Sequence, residues 1–358
     1  MICPHCERNL VRKERPGNRC GHCGRAYALD PKTNPLRLND LRVRRVAGTL
    51  TDGGRIGIVP DQLWYALSRK SLRGSEYGEG CMGTAFVVAG LVTVIAFFAE
   101  EPFLLIGSAA LVLVGLALAG ARALGAGRGL PPVARDSFQA QVLSPWRSVY
   151  GAPPPGVLDA AHPTAGPAGA GGVGGPAGAA GATAVLVCPD PAVVAFLVAD
   201  GLPARHGLAV VRSVAEAVAA PSNGPVLVLH DIDADGELLV PRLREALPGR
   251  VVLDAGPPLR TVRALPQAVP YRDLRRKPRP ADLRLLAEQG GYSPEELKWL
   301  GQGWRFPLVG LPPARLLAVV DRVAERVGRG TDPDRRRAAE LGFLTWPEAA
   351  GPDPVGGR

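Results

Sequence analysis

The chain lacks an apolar run at its N-terminus, where a secretory signal would begin. It opens directly on MICPHC, so we expect no signal peptide. Charged residues make up an ordinary 21%, whereas glycine and proline are abundant, with 45 and 36 of the 358 residues. Because neither residue suits the interior of a helix or strand, this excess belongs in linkers. The length allows about two or three domains.

Charge is absent from two neighbouring segments of about twenty residues, Gly80–Ala99 and Pro102–Ala121. Each is long enough to cross the core of a bilayer as a helix. Only Glu100 and Glu101 separate them, so residues 80–121 are predicted to form a two-helix transmembrane hairpin. With no ionisable side chain inside either segment, we interpret the pair as an anchor rather than an ion path.

Basic residues flank both outer ends of this hairpin, whereas its turn carries only acids. The positive-inside rule then predicts a multi-pass protein of the cell membrane with two spans and both termini in the cytoplasm. The overall balance is also basic, with a formal net charge of +9. Such a balance is compatible with nucleic acid, anionic lipid or membrane flanks as partners.

Cysteine is sparse, yet four of the six lie within the first 23 residues, as CPHC and CGHC. A C-x2-C turn aims two thiolates at one point, and a second such turn closes a tetrahedral site. This clustering favours a metal over a disulfide framework. We predict a structural Zn²⁺ on which the folding of residues 1–30 depends. Its ligands are Cys3, Cys6, Cys20 and Cys23.

The two cysteine pairs resemble the zinc ribbons at the ends of many bacterial proteins. The resemblance covers less than a tenth of the chain. Ribbons of this kind serve nucleic-acid binding, protein docking and plain structure, so the resemblance implies a fold without fixing a function.

Residues 31–79 are basic and have a helical pattern. A second helix is predicted to begin at Pro60. Two arginine-rich helices joined by a glycine-containing turn are compatible with a DNA-binding helix-turn-helix, and the alternative is an amphipathic pair beside the membrane. The first helix has four apolar residues near one face, Leu38, Leu41, Val46 and Leu50.

The segments between the hairpin and the C-terminal half differ sharply in composition. Residues 122–150 form a short amphipathic juxtamembrane segment whose class the pattern leaves open. Residues 151–182 are nearly all glycine, alanine and proline. No core can form from such residues, so we expect a disordered tether there.

From Thr183 onwards, short apolar runs alternate with helical patterns. The runs TAVLVC, GLAVVRS, PVLVLHD and RVVLDAG predict four strands. This alternation predicts a doubly wound α/β domain with a parallel sheet over residues 183–290. Residues 291–358 are predicted to add a helical extension that packs on the sheet. The expected fold class is therefore multidomain: a zinc ribbon, a transmembrane hairpin and this α/β domain.

Acidic residues follow the predicted strands, at the edge where such sheets bind ligands. Asp190, Asp231, Asp233 and Asp254 are therefore candidates for one acidic cluster. The stretch DIDADG also fits the first half of an EF-hand calcium loop, but the twelfth position is Arg242, which excludes that motif. The alternative is that the acids end strands and cap helices.

Residues 183–290 resemble the receiver domains of bacterial response regulators. VLVLHD resembles the strand that ends in the phospho-accepting aspartate, which places Asp231 there. RRKPRP resembles the late Lys-Pro of the family, which places Lys277 as the phosphate-contacting lysine. The family's magnesium-binding acids fall at Cys188 and Pro189, so the resemblance implies a pseudo-receiver without efficient phosphoryl transfer.

The acidic pair is also similar to the Asp-x-Asp of Toprim domains in primases and topoisomerases, which binds Mg²⁺. There, Asp231 and Asp233 would be the ligands. That family also needs a glutamate after its first strand, where this chain has Cys188, with Asp190 close by. This resemblance too implies an incomplete magnesium site.

The sequence favours a non-catalytic adaptor or regulatory scaffold anchored in the membrane. Its expected partners are membrane lipid and a cytoplasmic protein, and no small-molecule substrate is evident. One alternative is a metal-dependent nucleic-acid or phosphoryl enzyme that uses Asp231 and Asp233. Another is a membrane-tethered regulator that binds DNA through the ribbon and the basic residues 37–73.

Overall fold

The computed structural model describes residues 1–73, 116, 129–159, 181–265 and 268–331. Almost all of the predicted hairpin, residues 80–121, lies outside these ranges. Among the described helices, none has the length and apolar character needed to span a membrane. The chain forms two compact units, and the segments that build them alternate along the sequence. Unit 1 comprises Met1–Pro163, Asp231–Leu238 and Pro257–Pro313, and unit 2 comprises Thr164–His230, Leu239–Gly256 and Ala314–Arg358.

The described helices are, in chain order, α1 Asp40–Leu50, α2 Pro60–Arg73, α3 Arg135–Phe138, α4 Ser144–Tyr150, α5 Pro191–Ala199, α6 Leu202–Arg205, α7 Val214–Ala219, α8 Ala234–Glu237, α9 Leu239–Ala246, α10 Leu259–Ala264, α11 Pro280–Gln289, α12 Pro294–Gly301 and α13 Pro313–Thr331. The strands are β1 Ala184–Val187, β2 Leu208–Val211, β3 Val226–Val228, β4 Val252–Asp254, β5 Tyr271–Arg272 and β6 Trp304–Arg305. A π-helical turn, Gln139–Leu143, joins α3 to α4.

Unit 2 is built on a parallel sheet of four strands in the order β2-β1-β3-β4. Its central strands are apolar throughout, as expected where helices cover a parallel sheet. Val185 pairs with Ala209 of β2 and with Val226 of β3. Helices α7 and α9 add Ala217 and Leu243 to the same buried cluster. The predicted α/β fold is confirmed, with a flavodoxin-like sheet.

The two compact units divide this region differently from the predicted domain 183–290. The segment Pro257–Pro313, which contains β5, belongs to unit 1. There β5 pairs with β6 in an antiparallel ribbon of two strands, rather than extending the parallel sheet. Helix α12, predicted to pack on the sheet, also lies in unit 1. The pairing of β5 with a strand some thirty residues later removes it from the parallel sheet, and short strands carry no periodicity that reveals such a pairing.

Helix α2 lies in the core of unit 1. The Trp64 ring meets Tyr271 edge-on at 5.6 Å, and the Tyr65 ring meets Phe306 edge-on at 6.0 Å. The Tyr65 hydroxyl donates to the carbonyl of Val269 at 2.8 Å, and burial raises the pKa of Tyr65 to about 12. Helix α2 therefore contributes one face to the core of unit 1. Its buried residues are Gln62, Leu63, Trp64, Tyr65, Leu67, Ser68 and Leu72.

Helix α1 forms where the pattern predicts it, and its buried residues differ from the four apolar residues placed near one face. Its buried residues are Asp40, Val43 and Ala47, which recur at helical spacing. Of the four apolar residues assigned to that face, Leu38 is buried but precedes the helix, and the other three are only partly buried. Because the buried face includes the charged residue Asp40, the positions of apolar residues alone could not locate this face.

The carboxylate of Asp40 joins three parts of unit 1. It accepts hydrogen bonds from the backbone N–H groups of Ala28 and Leu29, each at 2.8 Å, and from the hydroxyl of Tyr150. Burial and this carboxylate raise the pKa of Tyr150 above its ordinary value. Asp40 has no exposed surface, and its hydrogen bonds offset the cost of burying its charge.

The juxtamembrane segment and the start of the predicted tether are folded parts of unit 1. Phe138 and Trp146 are buried on the α3–α4 segment. Further on, Val157 bridges Ile58, and the N–H of Leu158 donates to the Ile58 carbonyl at 2.7 Å. Val157 and Leu158, within the predicted linker 151–182, therefore contact the rest of unit 1. Residues 160–180 of this linker lie outside the described part of the chain.

Replacing Asp40 by alanine is expected to destabilise unit 1 by about 3 kcal/mol or more, because two buried N–H groups and one hydroxyl lose their acceptor. Trp64, Trp146, Trp299 and Trp304 all lie in unit 1. Urea unfolding of the metal-loaded chain, followed by tryptophan fluorescence, measures the loss. Glu288→Ala, at an exposed position of α11, serves as the control. Equal stability of the two variants would contradict the role of Asp40.

Candidate functional site

The four N-terminal cysteines lie on two turns of the same construction. The N–H of Cys3 donates to the carbonyl of Arg8 at 2.9 Å, and the N–H of Cys20 donates to that of Arg25 at 3.0 Å. An antiparallel β-bridge flanks each turn, between Ile2 and Asn9 in the first and between Arg19 and Ala26 in the second. The repeated geometry brings both pairs of thiols to one point.

Left-handed backbone follows the second cysteine of each turn. Gly24 has φ +70°, where glycine carries no steric cost, and Glu7 has φ 59° at the matching place in the first turn. Gly21 is needed for a different reason. A Cβ added there would lie 2.9 Å from the carbonyl oxygen of Glu14, so this turn passes too close to the backbone for a side chain.

The cysteine sulfurs have the spacing of a tetrahedral metal site. Cys3 Sγ lies 3.9 Å from Cys23 Sγ, and Cys6 Sγ lies 3.8 Å from Cys20 Sγ. All four ligand atoms lie within 4.8 Å of one another. A tetrahedron with metal–sulfur bonds of about 2.3 Å has edges of about 3.8 Å. These residues therefore fit a metal ion without rearrangement of the backbone.

The thiols differ in their electrostatic surroundings. Backbone N–H groups of Cys23 and His22 lower the pKa of Cys20 to about 6, against the effect of burial. An N–H from Arg8 acts in the same direction on Cys6, but burial and the three neighbouring thiols raise the pKa of Cys6 to about 11. Metal binding requires thiolates, so it would displace the remaining protons from such a group.

The histidines within the two motifs bind elsewhere. The Nε2 atom of His5 lies 2.8 Å from the carbonyl oxygen of Ala26. His22 is exposed, and its Nδ1 lies 3.3 Å from a guanidinium nitrogen of Arg8. The ligand group that the described residues assemble consists of the four cysteines.

The candidate acids of the α/β region have separate local partners. In unit 2, Asp190 caps α5 by accepting the N–H of Ala192 at 2.9 Å. Asp254 accepts the N–H of Gly256 at 2.8 Å. Among the described residues the acids do not gather into a metal-binding group. Asp190 and Asp254 each accept a hydrogen bond from the backbone of their own turn.

The cation bound to the central acids is Arg305. Its guanidinium lies 2.9 Å from Asp231 Oδ2, 2.6 Å from Asp233 Oδ2 and 3.6 Å from Asp273 Oδ2, all in unit 1. The other Asp231 oxygen accepts the N–H of Leu308 at 2.8 Å. The side chains of Arg305 and Asp231 are 7% and 10% exposed. We call these four charged residues the Arg305 cluster.

The charge of Arg305 is strongly held. Burial alone would lower its pKa, but Asp233 and its other neighbours raise the pKa of Arg305 above its ordinary value. The ring of Tyr271 lies 5.9 Å from the guanidinium carbon, and burial raises the pKa of Tyr271 to about 12. A permanent cation thus lies between the two acids that the Toprim resemblance assigns to magnesium, one of which, Asp231, the receiver resemblance assigns as the phospho-acceptor.

Asp233 and Asp231 both have structural contacts in unit 1. Asp233 caps α8 by accepting the N–H of Gly236 at 2.8 Å, as the alternative for this residue predicted. Lys277, the predicted phosphate contact, is exposed, and the basic group bound to Asp231 is Arg305. Nothing in the spacing or the sequence neighbours of Arg305 connects it to the DIDADG stretch, so this partner could not be predicted from the sequence.

A second acid–base contact lies in unit 2. His230 is 3% exposed, and its Nε2 lies 3.4 Å from Asp254 Oδ1. Burial raises the pKa of Asp254, but the hydrogen bond and charge of His230 outweigh this, and the net direction is downward. The Asp254 side chain is 48% exposed, so water weakens the interaction. The pair fixes the turn after β4 rather than forming an enclosed site.

Comparisons of the chain with protein-family models, with curated proteins and with solved structures give no match. Function is therefore inferred from the cysteine cluster, the Arg305 cluster and the predicted membrane segments. Of these, the cysteine cluster is the arrangement of described residues that fits a ligand.

We expect one divalent metal ion per chain, bound by the cysteine cluster. Cys20→Ser should abolish this stoichiometry and lower the stability of unit 1, because one thiolate of a closed site is lost. Elemental analysis of the purified chain measures the metal. Cys188→Ala, at a buried position after β1, is the matched cysteine control and should retain the ion. Retention of metal by the Cys20 variant would contradict the site.

Replacing Arg305 by methionine should cost unit 1 about 3–5 kcal/mol, because buried carboxylates lose their counter-charge. Adding Asp231→Asn and Asp233→Asn to this variant should recover part of the loss. Tryptophan-detected urea unfolding of the full chain reports both effects. Arg275→Met, at an exposed position, should change little. A loss no greater than that of this control would show that the Arg305 cluster does not hold unit 1 together.

The pH dependence of the turn after β4 follows from the lowered pKa of Asp254. A lowered folded pKa gives stabilisation that is present above the unfolded value of about 3.9 and is lost as pH falls through the folded value. Asp254→Asn should therefore speed hydrogen exchange of the Ala255 amide at neutral pH. The lost protection should correspond to less than about 1 kcal/mol. Once the pH is below both the folded and the unfolded pKa values, the two chains should exchange alike. A difference that persists there would point to another cause.

Proposed function

We propose that this protein is a membrane-anchored, non-catalytic adaptor in which a zinc-bound ribbon organises unit 1 and an α/β unit docks a cytoplasmic protein. The observation that carries this proposal is the engagement of Asp231 and Asp233 by Arg305. The acids most suited to chemistry are thereby committed to structure. The remaining ligand-type cluster is closed and cysteine-rich, as structural metal sites are.

Zinc is the ion best matched to the cysteine cluster. Four thiolates are soft ligands, and the sulfur spacing fits bonds of about 2.3 Å in a tetrahedron. All four positions would be filled by protein, which leaves none for water or substrate. The bound ion would thus fix the ribbon, and through Ala28 and Leu29 it would fix the N–H groups that bind Asp40.

The α/β unit fits a pseudo-receiver that binds rather than reacts. Its strand order is that of flavodoxin-like folds. In a working receiver or Toprim site, magnesium neutralises the acids and the transferred phosphoryl group. In this chain the guanidinium of Arg305 neutralises Asp231 and Asp233 within unit 1, and Asp190 of unit 2 caps a helix.

Membrane anchoring rests on the two uncharged segments within residues 80–121. The chain enters them from the end of α2 at Arg73 and returns to unit 1 at Gly129, whose carbonyl accepts the N–H of Arg272 at 2.7 Å. Both flanks of the proposed hairpin therefore belong to the same folded unit. Such an arrangement would hold unit 1 beside the bilayer, on the cytoplasmic side according to the flanking basic residues.

The rival functions have less support. The DNA-regulator hypothesis needs an exposed recognition helix, whereas seven of the fourteen residues of α2 are buried. The phosphoryl-enzyme hypothesis needs metal at Asp231 and Asp233, where Arg305 is bound. Measured binding of DNA would support the first hypothesis, and measured phosphoryl turnover would support the second.

Three measurements test the anchoring and the lack of catalysis. The chain should resist carbonate extraction from membranes, and replacement of residues 80–121 by a short Gly-Ser linker should release it. Calorimetry should detect no saturable Mg²⁺ binding that Asp231→Asn abolishes, and acetyl phosphate should not label Asp231. Labelling of Asp231, or Mg²⁺ binding that depends on it, would sink the non-catalytic proposal.

A photo-crosslinking residue tests for a docked partner in cells. Val218 and Val251 are apolar residues of unit 2 that are 54% and 60% exposed. A crosslinker at either position should give a discrete protein adduct, whereas one at the exposed polar Glu325 should not. Adducts that are absent, or equal at all three positions, would contradict docking through this unit.

A further inference from the structure

Unit 1 carries a basic surface that the fold and the metal centre do not use. We define the basic surface as Arg275, Arg276, Lys277, Arg279 and Arg284, all exposed. Within residues 271–285 only Asp273 and Asp282 are acidic. Asp273 lies 4.0 Å from Arg276, at the limit of an ion pair, and also faces Arg305 at 3.6 Å. The surface therefore keeps a net positive charge.

Apolar side chains are interspersed with these charges. Leu274 is 50% exposed at the start of the short 3₁₀ turn that carries Arg275 and Arg276, and Leu285 is 46% exposed beside Arg284. Exposed leucine next to arginine and lysine is typical of surfaces that enter the headgroup region of a bilayer. A purely solvated charge run would not need these leucines exposed.

The two nearby tryptophans are already packed. Trp299 and Trp304 stack on each other at 6.3 Å, and the guanidinium carbon of Arg272 lies 5.7 Å from the Trp304 ring. Nucleic-acid surfaces that bind single strands rely on free aromatic faces for base stacking. This arrangement favours a lipid surface over a nucleic acid as the partner.

The chain returning from the proposed hairpin is fixed beside the basic surface. The Gly129 carbonyl accepts the N–H of Arg272, and Gly129 has φ +72°. A Cβ there would lie 2.4 Å from the Trp304 ring, so only glycine fits. Eight peptide steps connect Ala121 to Gly129, which reach at most roughly 28 Å. The covalent link thus limits how far β5 can lie from the end of the second span.

We propose that the basic surface binds anionic phospholipid headgroups of the bilayer that residues 80–121 cross. This inference rests on the membrane anchoring proposed above. Guanidinium groups bind headgroup phosphates with charge-assisted hydrogen bonds, and Leu274 enters the interface between headgroups and chains. Unit 1 is thereby oriented on the membrane by contacts beyond its covalent anchor.

Proteolysis of the full chain in vesicles tests the proposal. The Arg275–Arg276 and Arg276–Lys277 bonds are trypsin sites, whereas Lys277 and Arg279 precede proline. In vesicles of one part phosphatidylglycerol to two parts phosphatidylcholine, cleavage at these bonds should be slower by about tenfold than in phosphatidylcholine alone. High salt should remove the difference, because exposed charges are screened.

A charge-reversed variant with both trypsin sites intact provides the control. Arg279→Glu with Arg284→Glu should lose the protection in anionic vesicles. Arg322→Glu with Arg326→Glu makes the same change in net charge on exposed positions of α13 and should keep it. Equal cleavage in both vesicle types, or protection that both variants retain, overturns the proposal.

The remaining outcomes separate this proposal from its rivals. Protection by an added oligonucleotide that exceeds protection by anionic vesicles would assign the surface to nucleic acid and overturn the lipid assignment. Release of the chain from both vesicle types by carbonate would mean that the proposed anchoring has failed. Resistance to carbonate together with equal cleavage would mean that the anchor holds and only the lipid-binding surface is wrong.

Discussion

The arrangement of the chain depends on the ion pairs that Arg305 forms with Asp231 and Asp233. After β3 the chain leaves the parallel sheet, and its next residues join unit 1 through the carboxylates of Asp231 and Asp233. The N–H of Leu308 completes the coordination of Asp231, and a backbone bridge links Ile232 to Phe306. The buried guanidinium and the buried carboxylates neutralise each other, and either would be destabilising without its partner. The segment therefore stays in unit 1, although its sequence continues a sheet strand.

The cysteine cluster has a comparable role at the N-terminus. A ribbon of some thirty residues has little core of its own, and a bound metal would supply the stability that packing does not. Asp40 then carries this order into the rest of unit 1, because its carboxylate binds the ribbon backbone on one side and Tyr150 on the other. The ribbon backbone, the Asp40 carboxylate and Tyr150 are thus joined by hydrogen bonds.

The functional proposal follows from how the charged groups of the chain are used. Catalytic acids keep open positions for metal or substrate, whereas Asp231 and Asp233 bind an arginine whose pKa is raised. The basic surface, near the return of the chain at Gly129, carries exposed charges. A protein with saturated internal acids and an exposed basic face is suited to docking and membrane contact.

The sequence by itself determined the elements whose signal is local. C-x2-C spacing specified the ligands, and alternating apolar runs specified the four strands, because both depend on near neighbours. Only the tertiary structure decided where β5 pairs, which face of α1 is buried and which cation binds Asp231. Each of these depends on contacts between residues far apart in the chain. Burial of a charge such as Asp40 or Arg305 is stable only when distant partners are in place, and no local pattern records those partners.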